Sequence, residues 1–491
     1  MGRRVSTPQG RDGPGQSVDP GPGPEPHPAT PTQEGPALSI GPVLARTVRH
    51  FFPDLDAWID DIHDPRFPPQ VVYDKHFLLW WGLALFLCKL GSRRQLDYQL
   101  NTDGPQVLTN LNRLAGTRQK TRPVNQTLEY FLGRVGSAPL AGLDQKMVHR
   151  LIRMKALDGA RLQGRFLVLV DGTGYLAFRH RHCPQCLTRQ HGETTLYLHQ
   201  VLEAKVLGPA GTVFSLATEF IDNRDAADTP AGASPERQKQ DCELKALPRL
   251  VAKIRGAFPQ LRICLVGDSE FACGPGFQVA RDHRCDYLYV FKEGRTPALW
   301  RDFRGLLRLC PGQRVEVRTP EKAEQVYRWV NDLDYEDSEG RTWKFHALHC
   351  RETTNEEEVT EWSWVTSLAV DRDTVAEVAT RGGRERWRQE NEGFNTQKNS
   401  GLNLEHAYSH TCWAAYYFLL QMAHLLLQLV EKGSLLGQLA RQQGKRTAVE
   451  LFGSLKNMAQ RLLESLRYCR WEEAAFDAAV AATIQIRLNS S

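Results

Sequence analysis

Phe166-Leu-Val-Leu-Val-Asp-Gly-Thr-Gly174 runs five apolar residues into an aspartate and then a glycine-rich turn. An uninterrupted apolar run bounded by turn residues reads as a central strand covered on both faces, and the aspartate at its end lies where loops and ligands meet. A turn-capping role would explain an isolated Asp171 equally well. A second copy of the pattern, Ile263-Cys-Leu-Val-Gly-Asp-Ser269, favours chemistry. Two buried strands that end in acids, Asp171 and Asp268, bring carboxylates together. Such a pair repels unless a cation lies between them, and oxygen ligands select Mg²⁺ or Mn²⁺.

A third acid is expected from a helix packed on that sheet, within Arg384-Glu-Arg-Trp-Arg-Gln-Glu-Asn-Glu-Gly-Phe-Asn-Thr-Gln-Lys-Asn399, which Gly401 closes. At about 100° per residue from Trp387, Phe394 falls at about −20° and Glu390 at about −60°, whereas Glu392 falls at about +140°. Glu390 therefore shares the apolar stripe and is taken as the third ligand. Glu392 is the fallback, because Gly393 can distort the phase.

The chain has 491 residues, enough for two to four domains, and a 41% hydrophobic fraction that supports real cores. Residues 1–42 hold ten of the 27 prolines and almost no large apolar residues, so a disordered tail is expected. Eleven singly scattered cysteines and no apolar N-terminal segment point to a reducing cytosol and argue against a disulfide framework. Net charge is +5, from 62 basic and 57 acidic residues, so a polyanion has to be met by local patches.

Helical patterning covers roughly residues 43–160. Its apolar run Phe77 to Cys88 is shorter than the ~20 residues a membrane span needs. Between Ser92 and Met154 stand ten Lys/Arg against four Asp/Glu. Arg93, Arg94, Arg113, Arg118, Lys120 and Arg122 cluster there as a phosphate-binding footprint, with a solvated helical face as the alternative. Strands are expected at Tyr197–Leu207 and Val213–Ile221, a helix with an internal Pro248 over Gln240–Ile254, and a further strand at Tyr287–Phe291. Past Gly401, Thr411–Val430 is apolar but broken by Gln421, His424 and Gln428, which favours a helix buried in protein over a membrane span. The order βββαβαβ, with acids on the first and fourth strands and a third on a later helix, predicts an α/β fold: an RNase H-like mixed sheet flanked by helices.

In this order and spacing, LVDGTG, LVGDSE and RWRQENEGFNTQKN together resemble a DDE-type insertion-sequence transposase with an RNase H-like catalytic core. The resemblance runs from about 75 to 430. It implies that Asp171, Asp268 and Glu390 hold two Mg²⁺ (or Mn²⁺) for cleavage and strand transfer of DNA. It also implies that Arg386, Arg388 and Lys398 hold phosphates. The family's Tyr-x2-Arg-x3-Glu-x6-Lys motif is kept at Arg386 and Glu390; Gly383 stands at the Tyr place and Lys398 falls one residue late. Between the second and third acids the family's cut-and-paste branch carries a β-rich insertion, and five of the eleven Trp fall there: Trp300, Trp329, Trp343, Trp362 and Trp364.

The expected organisation is a tail (1–42), a helical DNA-binding domain (43–160), the catalytic domain in two parts (161–294 and 373–432), the β-rich insertion (295–372) and a C-terminal helical region (433–491). The partners implied are element-end and target DNA and further copies of the chain, in a cytoplasmic, nucleoid-associated protein with no membrane role. A nuclease on the same fold without strand transfer, and a catalytically silent DNA-binding descendant, stay open as alternatives. Separately, His180-Arg-His-Cys-Pro-Gln-Cys-Leu-Thr-Arg-Gln-His191 has the CxxC spacing of a zinc knuckle. Cys183 and Cys186 with His182 (or His180) and His191 are the candidate Zn²⁺ ligands, against a merely polar loop.

Overall fold

Alternate residues of Phe166–Phe178 (β1) enter two different cores, Phe166, Val168 and Val170 one of them, Leu167 and Leu169 the other. That is the burial expected of a strand covered on both faces. The computed structural model describes residues 40–223, 240–294, 296–320, 323–337, 340–471 and 487–488. Within them the chain is a mixed α/β fold, a ten-stranded mixed sheet flanked by helices. The expected tail lies outside the described residues except for 40–42, which open the helix Ile40–Phe51.

After β1 come Leu187–His191 (β2), Thr194–Leu207 (β3) and Val213–Ile221 (β4). β3 pairs antiparallel with β1, with β4 through Gln200–Leu207, and with β2 through Thr194–Leu198. β1, β3 and β4 form an antiparallel three-strand meander, with β2 as an added hairpin arm. Ile263–Gly267 (β5) and Asp286–Val290 (β6) follow β1 in parallel, joined by the helix Gly274–Asp282. The strands Arg314–Arg318 (β7), Glu324–Glu336 (β8), Thr342–Thr353 (β9) and Val359–Thr366 (β10) do not form a separate layer. They continue the same sheet, because β10 pairs antiparallel with β6.

The helix Trp413–Lys432 is apolar along its length and buried in protein. Its three polar interruptions each find at least one hydrogen-bond partner there, while Nε2 of Gln421 and Nε2 of His424 are buried without one among the described residues. Gln428 accepts from the Val213 amide (2.8 Å) and donates to the Val213 carbonyl (2.9 Å), clamping the end of β4. Gln421 accepts from Lys205 (2.8 Å) and Gln397 (2.7 Å), and His424 bonds Gln397 (3.0 Å). The N-terminal helices Ile40–Phe51, Lys75–Leu87 and Ala138–Arg153 pack around this same helix.

Candidate active site

β1 and β5 run parallel in the register Val170↔Gly267. The next residue on each is an acid, so Asp171 and Asp268 stand on neighbouring strands, roughly 5 Å apart at the backbone. One sequence expectation needs correction. Asp171 is not at the tip of its strand, because β1 continues to Phe178 paired with β3. It is β5 that ends, at Gly267 opposite Val170, and Asp268 follows at the carboxyl end of a parallel strand, the position in such sheets where ligands bind.

The segment carrying the third acid is not a regular α-helix. Gly383–Arg386 is 3₁₀ and Gln389–Asn395 is a π-helical turn. A 100° step therefore does not apply: Trp387 is 42% exposed, and the side facing the protein is made of Gln389, Gly393, Phe394 and Gln397. Gln389 anchors the turn by donating to the Glu203 carbonyl on β3 (3.3 Å), and Gly393 leaves room for the Lys205 stem, which a Cβ would meet at 3.3 Å. Such π-turns recur at functional sites because they re-aim side chains. Glu390 is exposed but its charge reaches Asp171. Glu392 lies elsewhere, lining a small cavity with Lys89, His424 and Glu431.

Burial pushes the Asp171 carboxyl up to about 6, and the charges of Asp268 and Glu390 add to the rise; Arg386 and the Gly172 amide oppose it. The charges of Asp268 and Glu390 act on Asp171, so the three carboxylates lie within electrostatic reach of one another. The donor set, all oxygen and anionic, fits a hard divalent cation. A further acid that the sequence reading missed, Glu243, stands in the same cluster. Burial, then the charges of Asp171, Glu270 and Asp268, push it up to about 7. Glu243 opens the helix Glu243–Ala257 and reaches Gly172 so closely that a Cβ there would meet its carboxylate at 2.1 Å. Only the packing of that helix on β3 and β4 brings its first residue to Gly172, and nothing in its sequence neighbourhood marks it.

The pH consequence has a definite sign. Both carboxyls titrate higher in the folded chain than the usual values near 4, so the stability they contribute is present at low pH and is lost as pH rises through about 6 to 7. In metal-free protein at pH 8, Glu243→Gln is expected to raise stability by about 1–2 kcal/mol, and by far less at pH 5. Urea melts at the two pH values check this; equal effects at both would remove Glu243 from the cluster.

Beside the acids opens a cleft of about 610 Å³, lined by Asp268, the cations Lys292, Arg304, Arg384 and Arg386, and the indoles of Trp300, Trp362, Trp364 and Trp387. Arg386 lies 3.5 Å from Asp171, and Arg384 bonds Glu352 (2.8 Å) while stacking on Trp362 (4.4 Å). A second groove of about 470 Å³ shares Arg304, His349 and Glu361 with the first and adds Arg308, Arg314, Arg328 and Arg351. Of the Trp in 295–372, Trp329, Trp343 and Trp364 are core residues, whereas Trp300 and Trp362 are only partly buried.

The other expected phosphate contacts divide. Arg388 is held by Glu385 and stacks on Trp387 (4.8 Å), and Lys398 pairs with Glu405 (2.7 Å). The motif departures have steric reasons. A Cβ at Gly383 would meet the Trp364 ring at 2.4 Å, and position 397 is a buried glutamine bonded to Gln421. In the N-terminal patch, Arg93 is taken up by Glu129, and Arg122 by the carbonyls of Leu100 (2.7 Å) and Gly104 (2.8 Å). Arg94, Arg118 and Lys120 are exposed, and Arg113 is half-buried. Compared with protein-family models and with curated proteins, the chain matches none.

Proposed function

We propose that this chain is a DDE-type DNA transposase with an RNase H-like catalytic core, cleaving phosphodiesters and joining the freed 3′-hydroxyl to target DNA. The reading is supported by Asp171 and Asp268, which follow matched residues of β1 and β5, with the charge of Glu390 reaching Asp171, and by the cleft beside Asp268 lined by arginines and tryptophans. Acids alone would suit many metal enzymes. Cations alternating with aromatic faces add a polyanion with stackable bases, which is a nucleic-acid strand.

Asp171, Asp268 and Glu390 would hold Mg²⁺ or Mn²⁺, which when bound supplies an activated water or 3′-hydroxyl and a stabilised leaving oxygen. Arg386 limits the repulsion at Asp171 and presents its guanidinium toward the cleft, where a phosphate can be met. Arg384, fixed between Glu352 and Trp362, orders the wall against which a base can stack. Glu243 keeps a proton to near neutrality beside Asp171, so it can give or take one at the cluster. The strands Arg314–Thr366 extend the wall of the cleft and are read as the β-rich insertion of the cut-and-paste branch. A homodimer or larger assembly would hold two DNA ends together.

The test uses full-length protein, Mg²⁺, a supercoiled plasmid and a labelled duplex that ends in the DNA flanking the coding sequence. Cleavage with joining of the label to the plasmid is expected. Cleavage without joining would favour a nuclease, and binding without either would favour a silent descendant. The groove has its own check. Charge reversal at Arg308 and Arg351 together is expected to weaken duplex binding at least tenfold and to flatten its salt dependence. An unchanged salt slope in gel-shift titrations would move the DNA path elsewhere.

A further inference from the structure

Away from the acid cluster, the loop after β1 carries a second group of ligating side chains. The sulfurs of Cys183 and Cys186 lie 3.6 Å apart, and each lies 3.4 Å from Nε2 of His199. A tetrahedral zinc with Zn–S near 2.3 Å and Zn–N near 2.05 Å requires edges of about 3.8 Å between sulfurs and about 3.6 Å between sulfur and nitrogen. Three ligand atoms thus already form one face of such a tetrahedron. His182 is the nearest candidate for the fourth corner: a ring nitrogen lies within 4.8 Å of the Cys183 and His199 ligand atoms, and closing the tetrahedron requires the ring to move toward Cys186.

The surroundings match a metal centre as well. His199 is 3% exposed and Cys186 fully buried, and Nδ1 of His182 is buried with no hydrogen-bond partner. The other nitrogen of His182 bonds His410 (2.8 Å), the outer partner that fixes the ring of a metal-bound histidine. Trp413 covers His199 at 5.2 Å between ring centres. His191, the ligand expected from the sequence, is exposed at the end of β2, where it pairs with Thr194, and His180 is exposed too. The ligand is the histidine on β3, which register brings opposite the end of β1.

We propose that Cys183, Cys186, His199 and His182 form a structural zinc site that staples the loop after β1 to β3 and, through His410, to the segment entering the helix Trp413–Lys432. The site does not depend on the proposed function, since it shares no residue with the acid cluster. It would hold in place the part of β1 that continues past Asp171.

Full-length protein purified without chelator is expected to carry about one zinc per chain by elemental analysis. His199→Ala and Cys186→Ser are expected to lose it, and His191→Ala to keep it. Because a ligand variant can also fail to fold, Co²⁺ exchange of the unaltered protein gives a second reading: a thiolate-to-cobalt charge-transfer band together with intense visible bands of tetrahedral cobalt. Zinc retained in His199→Ala but lost in His191→Ala would overturn the ligand set. No zinc together with no charge-transfer band, or a Cys183–Cys186 disulfide in the protein as purified, would overturn the site.

Discussion

Asp171→Asn and Asp268→Asn are each expected to lower metal-dependent DNA cleavage by at least about 10³-fold while leaving DNA affinity equal or tighter. The amide keeps the shape of the side chain but is a poor ligand for a hard cation, and it removes a negative charge that faces the phosphates. The two strands present their acids at matching positions, so each variant removes half of the pair that β1 and β5 bring together. Asp171→Asn is expected to keep the fold, which a thermal melt of the variant checks. Burial and neighbouring charges hold that carboxyl up to about 6, so neutralising it relieves repulsion in metal-free protein at pH 8. Nicking of a labelled duplex at saturating Mg²⁺, read beside a gel shift, decides the matter. Activity retained within tenfold in either variant would take that acid out of the centre.

Glu390→Gln is expected to abolish cleavage to a similar extent, and Glu392→Gln to leave it within about threefold. The reason is no longer helical phase. The π-turn over Gln389–Asn395 is anchored by Gln389 on β3 and closed over Lys205 at Gly393, which leaves Glu390 in electrostatic reach of Asp171. Glu392 sits instead with Lys89, Glu431 and His424 against the buried helix. Cleavage by Glu390→Gln in Mg²⁺, with Glu392→Gln inactive, would mean that the turn rearranges when DNA enters the cleft.

The choice of Glu390 rests on an α-helical period, and the segment that carries it is not α-helical. Trp387, the reference point of that phase, is exposed and stacks under Arg388. A π-turn spreads its residues over a wider turn than an α-helix does, and which of the two forms is decided by what it packs against. Here that is β3 and the Lys205 stem, a strand almost two hundred residues earlier in the chain. The basic residues show the same limit. Arg93 and Arg122 look like free cations in sequence, yet one is used by Glu129 and the other by the carbonyls of Leu100 and Gly104, across an intervening helix. Of the cleft cations, Arg386 is legible beside the third acid, whereas Lys292 and Arg304 come from other elements that only the fold brings to the same cleft.

By itself the sequence determined where the buried strands lie and which acids they carry. An unbroken apolar run of five residues ending in Asp has few conformations that bury it, and two such runs can share a sheet. It also determined that the apolar stretch with Gln421, His424 and Gln428 is a helix inside protein, because each polar group demands a partner that lipid does not provide. Tertiary structure alone decided which distant groups join those acids. Glu243 reaches Asp171 because its helix begins against Gly172, and His199 rather than His191 lies beside Cys183 and Cys186 because strand pairing, not sequence distance, sets which histidine meets them. Local spacing constrains a few residues to one another. The approach of β1, β3, β5 and the π-turn is set by the packing of the whole core, and no short stretch of the chain encodes it.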